Sequence, residues 1–152
     1  MSHYLATVKW QRNDADFLAH KYSRAHVWQF DGGCEVPASA SPQIVPLPWS
    51  VAAHVDPEEA FIAALASCHM LFFLDIAAAK GYQVDSYTDA AEGHMGKNQQ
   101  GKIALVKATL HPLANFSAAK LPDKTTIESM HHEAHAQCFL ANSVTTDITI
   151  VI

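Results

Sequence analysis

The 152-residue sequence predicts an α+β domain in which antiparallel strands pack around a long buried central helix and a second, shorter helix. Three observations carry that expectation. Tyr4 to Trp10 and Ser23 to Phe30 alternate as half-buried strands do, and two longer strand-like segments joined by a turn-like stretch follow after residue 84, the first of them rather polar. Between them, Asp56 to Gly81 is an apolar stretch too long for a strand and bounded by helix start and stop residues. The order strands, long helix, strands, helix, strand, with hairpin-length connections, differs from the βαβ alternation of a parallel sheet. The length fits a single domain over 1–152.

Tyr4 to Trp10 and Ser23 to Phe30 alternate and are followed by the turn signal Asp31-Gly32-Gly33, which predicts an antiparallel meander. Pro37 to Trp49 holds prolines at 37, 42, 46 and 48 and reads as an extended surface loop, because proline cannot donate to a ladder. Asp56-Pro57-Glu58-Glu59 suits a helix start: Asp can cap, Pro fits the first helical position, and the carboxylates complement the dipole. The helix is expected to run to Lys80 and stop at Gly81. Its apolar residues, from Phe61 to Ile76, occupy every side, which predicts a helix surrounded by protein. The apolar run Ala60 to Leu74, broken by Ser67, Cys68 and His69, falls short of the roughly 20 residues of a membrane span. Val84 to Met95 and Ile103 to Phe116 read as a hairpin, Asp123 to Asn142 as the second helix, and Asp147 to Ile152 as a last strand.

Composition narrows the function classes. A net charge of −5 with scattered Lys and Arg offers no basic stripe for nucleic acid. The N-terminus lacks the basic start and apolar core of a signal peptide, so a cytoplasmic location is expected. Three cysteines without CxxC pairing do not make a structural disulfide framework. Any disulfide is expected to be transient and chemical.

Cys68 sits mid-helix in Ala66-Ser67-Cys68-His69-Met70, and Cys138 in the second helix in Ala136-Gln137-Cys138-Phe139-Leu140. A cysteine on a buried helix is commonest as a small hydrophobe, but two distant helical cysteines suit attack by one sulfur and condensation by the other. The segment Asp56-Pro57-Glu58-Glu59-Ala60-Phe61, followed after small residues by Ala66-Ser67-Cys68, resembles the central helix of the OsmC/Ohr hydroperoxide reductases. In that family a Pro-Glu start precedes the reactive cysteine by the same offset. His135-Ala136-Gln137-Cys138 resembles the family's second cysteine segment, and the likeness in element order covers nearly the whole chain. Two departures stand out: Phe139 where many relatives have Pro, and His69 after the first cysteine, found in only some branches.

The resemblance implies an intertwined homodimer and a thiol peroxidase that needs no cofactor. Cys68 would attack an organic hydroperoxide, and hydrogen peroxide less well. Cys138 would resolve the sulfenic acid, and an external dithiol, a lipoylated protein in relatives, would restore both sulfurs. An ordinary thiol, with a pKa of about 8.5, is mostly protonated at neutral pH and more so when buried, so a cation is required. The family supplies an Arg from the N-terminal strands, for which Arg24 is the best positional match and Arg12 the reserve, oriented by Glu58. Ten residues separate Glu58 from Cys68, roughly 15 Å of helical rise and about 80° around the axis. Glu58 therefore has to act through a long Arg or from a second subunit. Phe61, Phe72 and Phe139 would favour an organic substrate; Cys34 has no family counterpart.

Two other readings stand beside this one. His131, His135 and Cys138 fall at i, i+4 and i+7, a spacing that one helical face could offer to zinc, but there is no HExxH and no second Cys/His pair close in sequence. No metal site is assigned. The fold could also serve a redox sensor or small-molecule binder without peroxidase activity, against which both cysteines remain.

Overall fold

The N-terminal alternation produces a three-stranded antiparallel meander in the computed structural model, which describes residues 2–152. Strands β1 (Ala6–Lys9), β2 (His26–Phe30) and β3 (Glu35–Ala38) lie in that order, with Val8 opposite Trp28 and Trp28 opposite Val36. Gly33 turns β2 into β3 at a φ of 88°, a conformation glycine adopts without a Cβ penalty. β3 begins two residues before the stretch expected to be all loop and includes Pro37, which pairs with Val27. An edge strand tolerates the missing N–H, and the Pro37 carbonyl accepts Val55 N–H at 3.1 Å. Between β1 and β2, Trp10, Phe17 and Tyr22 pack ring against ring.

Helix α1 (Pro57–Ala79) matches its expected limits. Asp56 Oδ1 accepts Glu59 N–H at 2.8 Å while Glu59 Oε2 accepts Asp56 N–H at 3.3 Å, a reciprocal capping box. At the other end Gly81, φ 78°, donates to Ala78 O and Tyr82 donates to Ala77 O, closing a Schellman motif. The chain's packing divides into two compact units, one ending at Ala60 and one running from Phe61 to Ile152.

In the second unit α1 is not covered all round. Ile62, Leu65, His69, Phe73, Ile76 and Ala77 form one buried stripe, while Ala63, Ala64, Ser67 and Leu71 lie on exposed sides, Leu71 at 61%. An apolar surface on every side says that a helix can be enclosed; it does not say that one copy of the chain has enough strands to enclose it. At 23 residues α1 is also longer than the apolar run alone suggested, and by length and composition it could cross a bilayer. Its buried stripe is instead the spine of two protein cores.

The expected hairpin forms, with both arms broken. β4 (Gln83–Asp89) pairs with β7 (Pro112–Ser117), and β5 (Glu92–Lys97) pairs with β6 (Ile103–Leu110). Pro112 lacks an N–H, and His111 N–H turns to Asp89 Oδ1 at 2.7 Å instead of a ladder carbonyl. That interrupts the pairing on both arms. β8 (Asp147–Ile150) adds to β6 in parallel, so this sheet, ordered β5-β6-β8, is mixed.

α1 seals both sheets. Its first part, through Ile62 and Leu65, packs with Ala108, Ala91, Val144 and Ile148. Its second part, through Phe73, Ile76 and Ala77, packs with Met130 and Ala134 of α2 (Lys124–Gln137) and with Val84, Tyr87 and Phe116 of β4 and β7. Gly93 lets β5 approach α1: a Cβ there would stand 2.7 Å from Ile62 Cδ1. α2 starts on Asp123, whose Oδ1 accepts Thr126 N–H at 2.7 Å. It ends five residues earlier than expected, at Gln137.

Candidate active site

Cys68 and His69 occupy the stretch of α1 between its two cores. Cys68 is half-buried, and its thiol pairs with that of Cys138, which is 2% exposed. Cys138, expected inside the second helix, instead lies just past the end of α2 and caps it. Its backbone is extended at φ −62° and ψ 114°, and its N–H reaches back to His135 O. Side chains downstream hold the exit: Asn142 Nδ2 donates to Ala136 O and Ser143 Oγ to Phe139 O. The two sulfurs thus meet between a helix interior and a helix end.

Their environments differ. Burial raises the Cys138 thiol above its ordinary pKa and the hydrogen bond to Cys68 adds to that, opposed by the N–H groups of Ala141 and Leu140. Ala141 N lies 3.4 Å from the Cys138 sulfur. Burial therefore disfavours the thiolate of Cys138.

Beside the sulfurs stand two further pairs. Phe72, one turn after Cys68, meets Phe139, which follows Cys138, edge to face at a centroid distance of 5.0 Å; Phe139 is 70% exposed. His69 Nε2 and His131 Nδ1 are 3.0 Å apart, both residues are 1% exposed, and the rings lie nearly parallel. His131 stacks on Phe73 at 4.1 Å. Burial lowers both imidazoles from 6.5 to about 4; for His69 the proximity of His131 and His135 adds to the effect. Both are neutral at pH 7 and supply no positive charge to a thiolate.

The histidine pair was missed in the sequence, although a signal for it exists. His69 lies at i+4 from Leu65 and i−4 from Phe73, on the buried stripe, where a polar side chain needs a partner. The sequence spacing groups His131 with His135 and Cys138 as a face for zinc, but its Nδ1 belongs to His69 and Cys138 lies past the helix end. Among the described residues no three Cys, His, Asp or Glu side chains gather closely enough to hold a metal ion.

The other expected site residues belong to the N-terminal unit. Arg24 is half-buried, its guanidinium 3.7 Å over the Tyr22 ring, and its Nη1 donates to His20 O at 3.0 Å and Tyr22 O at 2.5 Å. Arg12 is exposed and donates to Ala15 O. Glu58 is half-buried in the first turn of α1, whose cap is made by Asp56 and Glu59, so Glu58 is not needed for it. Cys34 is exposed at the β2–β3 turn.

The family model of OsmC-like proteins matches residues 51–152, the segment that holds α1, both sheets of the second unit and both paired cysteines. The chain belongs to the OsmC-like family. Among solved structures it is similar to an OsmC-like protein of unknown function from Vibrio cholerae O1 biovar eltor, with 54% identity over 100% of this chain and 99% of that one and a TM-score of 0.98. Two more distant structures share the fold of this OsmC-like chain. An organic hydroperoxide resistance protein from Elizabethkingia anophelis is 16% identical, with a TM-score of 0.69 over 99% of this chain and 93% of that one. The organic hydroperoxide resistance protein OhrB of Bacillus subtilis is 17% identical, with a TM-score of 0.65 over 98% and 96%. No curated protein matches the sequence.

Proposed function

We propose that this OsmC-like protein is a cysteine peroxidase that reduces organic hydroperoxides, and hydrogen peroxide less well. The observation that carries the reading is the pairing of two thiols from distant parts of the chain: a half-buried Cys68 beside a buried Cys138 whose thiol is pushed up by burial. The Cys68 thiolate attacks the distal peroxide oxygen, the O–O bond breaks, and the alkoxide leaves with a proton from a neighbouring acid or water. Cys68 is then a sulfenic acid. The Cys138 sulfur displaces its hydroxyl, which departs as water with the Cys138 proton, leaving a disulfide. An external dithiol of the cytoplasm, such as a lipoylated protein, reduces that disulfide. With both buried histidines neutral, the cation the thiolate needs is assigned to Arg24, whose guanidinium is half-buried and stacked on Tyr22 where that of Arg12 is exposed, and Glu58 is assigned to orient it. The exposed Phe139 beside the sulfurs favours an apolar peroxide body.

Dithiol-coupled turnover of cumene hydroperoxide tests the reading. Cys68→Ser is expected to abolish turnover, and Cys138→Ser to consume about one equivalent of peroxide and then stall or over-oxidise. A Cys68→Ser protein that keeps most of its turnover refutes the assignment of the nucleophile. The uncovered sides of α1 support a homodimer, for which light scattering should give twice the 16.6 kDa chain mass; a clean monomer at micromolar concentration removes the idea of a site shared between subunits.

A further inference from the structure

In the core that α1 shares with α2, the helix capped by Cys138, His69 is hydrogen-bonded to His131, and the position of that bond is informative. His69 is the residue after Cys68. His131 lies seven residues before Cys138, on the buried side of α2 with Met130 and Ala134. Phe73 stacks on His131 and fixes the plane of its ring. Apolar packing between helices is tolerant of small slides, because one methyl contact replaces another; a hydrogen bond between two ring nitrogens at 3.0 Å is not. Its angular dependence selects one register of α2 against α1.

The tautomers follow from what else is buried. His69 Nδ1 has no hydrogen-bond partner among the described residues. Were His131 Nδ1 the donor, His69 would carry its own proton on that orphaned nitrogen, and an unpaired buried N–H is the costlier arrangement. His69 Nε2–H therefore donates to His131 Nδ1. The titratable groups around the pair are His135 on α2, Cys68 and Cys138 at the sulfur site, and Tyr87 on β4, its ring 6.5 Å from that of His131.

We infer that His69 and His131 are positioning residues for the thiol pair: their hydrogen bond holds Cys138 in the register from which it closes a disulfide onto Cys68. Their contribution is to the effective concentration of one sulfur at the other, which sets how readily the disulfide forms. The inference rests on Cys68 and Cys138 forming a disulfide, and not on a hydroperoxide being the oxidant.

The test is the thiol–disulfide equilibrium of the full chain at pH 7 in glutathione buffers, with Cys34→Ser in every arm. One oxidised glutathione takes two protons and two electrons from the thiols and becomes two reduced glutathiones, leaving the Cys68–Cys138 disulfide. His131→Leu is expected to lower the equilibrium constant about tenfold, a small misplacement being enough for that. His131→Asn, whose amide reaches the place of Nδ1, should recover most of the loss; His131→Gln, whose amide reaches the place of Nε2, should not. The Asn and Gln variants decide the matter if His131→Leu does not fold. Ile127→Ala, on the same helix and packed on the same core, supplies a loss of stability without touching the pair, and its equilibrium constant should stay near wild type. Equal constants for wild type, His131→Leu and His131→Gln overturn the inference, as does an equal shift for Ile127→Ala. If the wild type forms no Cys68–Cys138 disulfide at any glutathione ratio, the resolving role of Cys138 falls as well. A normal disulfide equilibrium with no peroxide turnover removes the peroxidase reading alone.

Discussion

Lowering the pH should destabilise this fold through its buried imidazoles, and the size of the effect can be worked out. His69 and His131 titrate near 6.5 in an unfolded chain and at about 4 in the folded one. As the pH falls through 6.5 the unfolded chain takes up protons that the folded chain refuses, so stability drops with acid until about pH 4 and levels off below it. Above 6.5 both states are neutral and the term vanishes. The gap corresponds to about 3 kcal/mol for one imidazole, and to at most about 7 kcal/mol for both. Asp89, raised above the ordinary carboxylate range by burial, acts in the opposite direction and offsets part of the loss. Since whole domains are stable by only about 5–15 kcal/mol, the imidazole term is a large share. The comparison that isolates it is wild type against the double variant His69→Leu/His131→Phe, which removes both titrating groups and keeps a ring against Phe73. Urea unfolding followed by tryptophan fluorescence, with reductant and at fixed protein concentration, should give a steep loss between pH 6.5 and 4.5 in the wild type and a much shallower one in the double variant. Parallel curves would refute the reasoning, because the acid sensitivity would then belong to groups both proteins share.

Two further outcomes are expected. Arg24→Met should slow alkylation and peroxide oxidation of Cys68 at pH 7, with partial recovery toward pH 9, because a more alkaline medium restores thiolate but not the charge that supports the departing oxygen; Arg12→Met is the control, and a wild-type profile for Arg24→Met beside a crippled Arg12→Met moves the role to Arg12. Gly93→Ala should cost about 1–3 kcal/mol in urea unfolding, since its methyl meets Ile62 at 2.7 Å, and Ile62→Val should recover part of that; an undiminished stability means that β5 can lift from α1.

Helix α1 was legible to within a residue because its ends are written locally, in Asp56-Pro57-Glu58-Glu59 and in Gly81. The end of α2 was not, because no Gly or Pro follows Gln137. Asn142 returns a hydrogen bond to the helix carbonyl of Ala136 and Ser143 holds the exit at Phe139 O, and both depend on a conformation downstream. The breaks in the hairpin were hidden for a similar reason: Asp89 and His111 lie 22 residues apart and interact only once the arms are paired. At the site, the cysteines could be singled out by their segments and by resemblance, whereas the meeting of His69 with His131 is a tertiary fact that a buried-stripe position hints at without naming the partner. How much of α1 is covered was beyond the sequence, because all-round apolarity measures what a helix tolerates.

The division of α1 between two cores has a mechanical consequence for the residue at its middle. A helix sealed against a single sheet can creep along its axis by exchanging one row of contacts for the next. Here Ile62 and Leu65 are keyed into one sheet and Phe73, Ile76 and Ala77 into another assembly, so any axial slip has to unseat both at once. One turn of travel, about 5.4 Å, would bring Phe72 or Ala64 level with Cys138 in place of Cys68. Clamped fore and aft, the sulfur keeps its depth in the molecule even when a substitution loosens either flank.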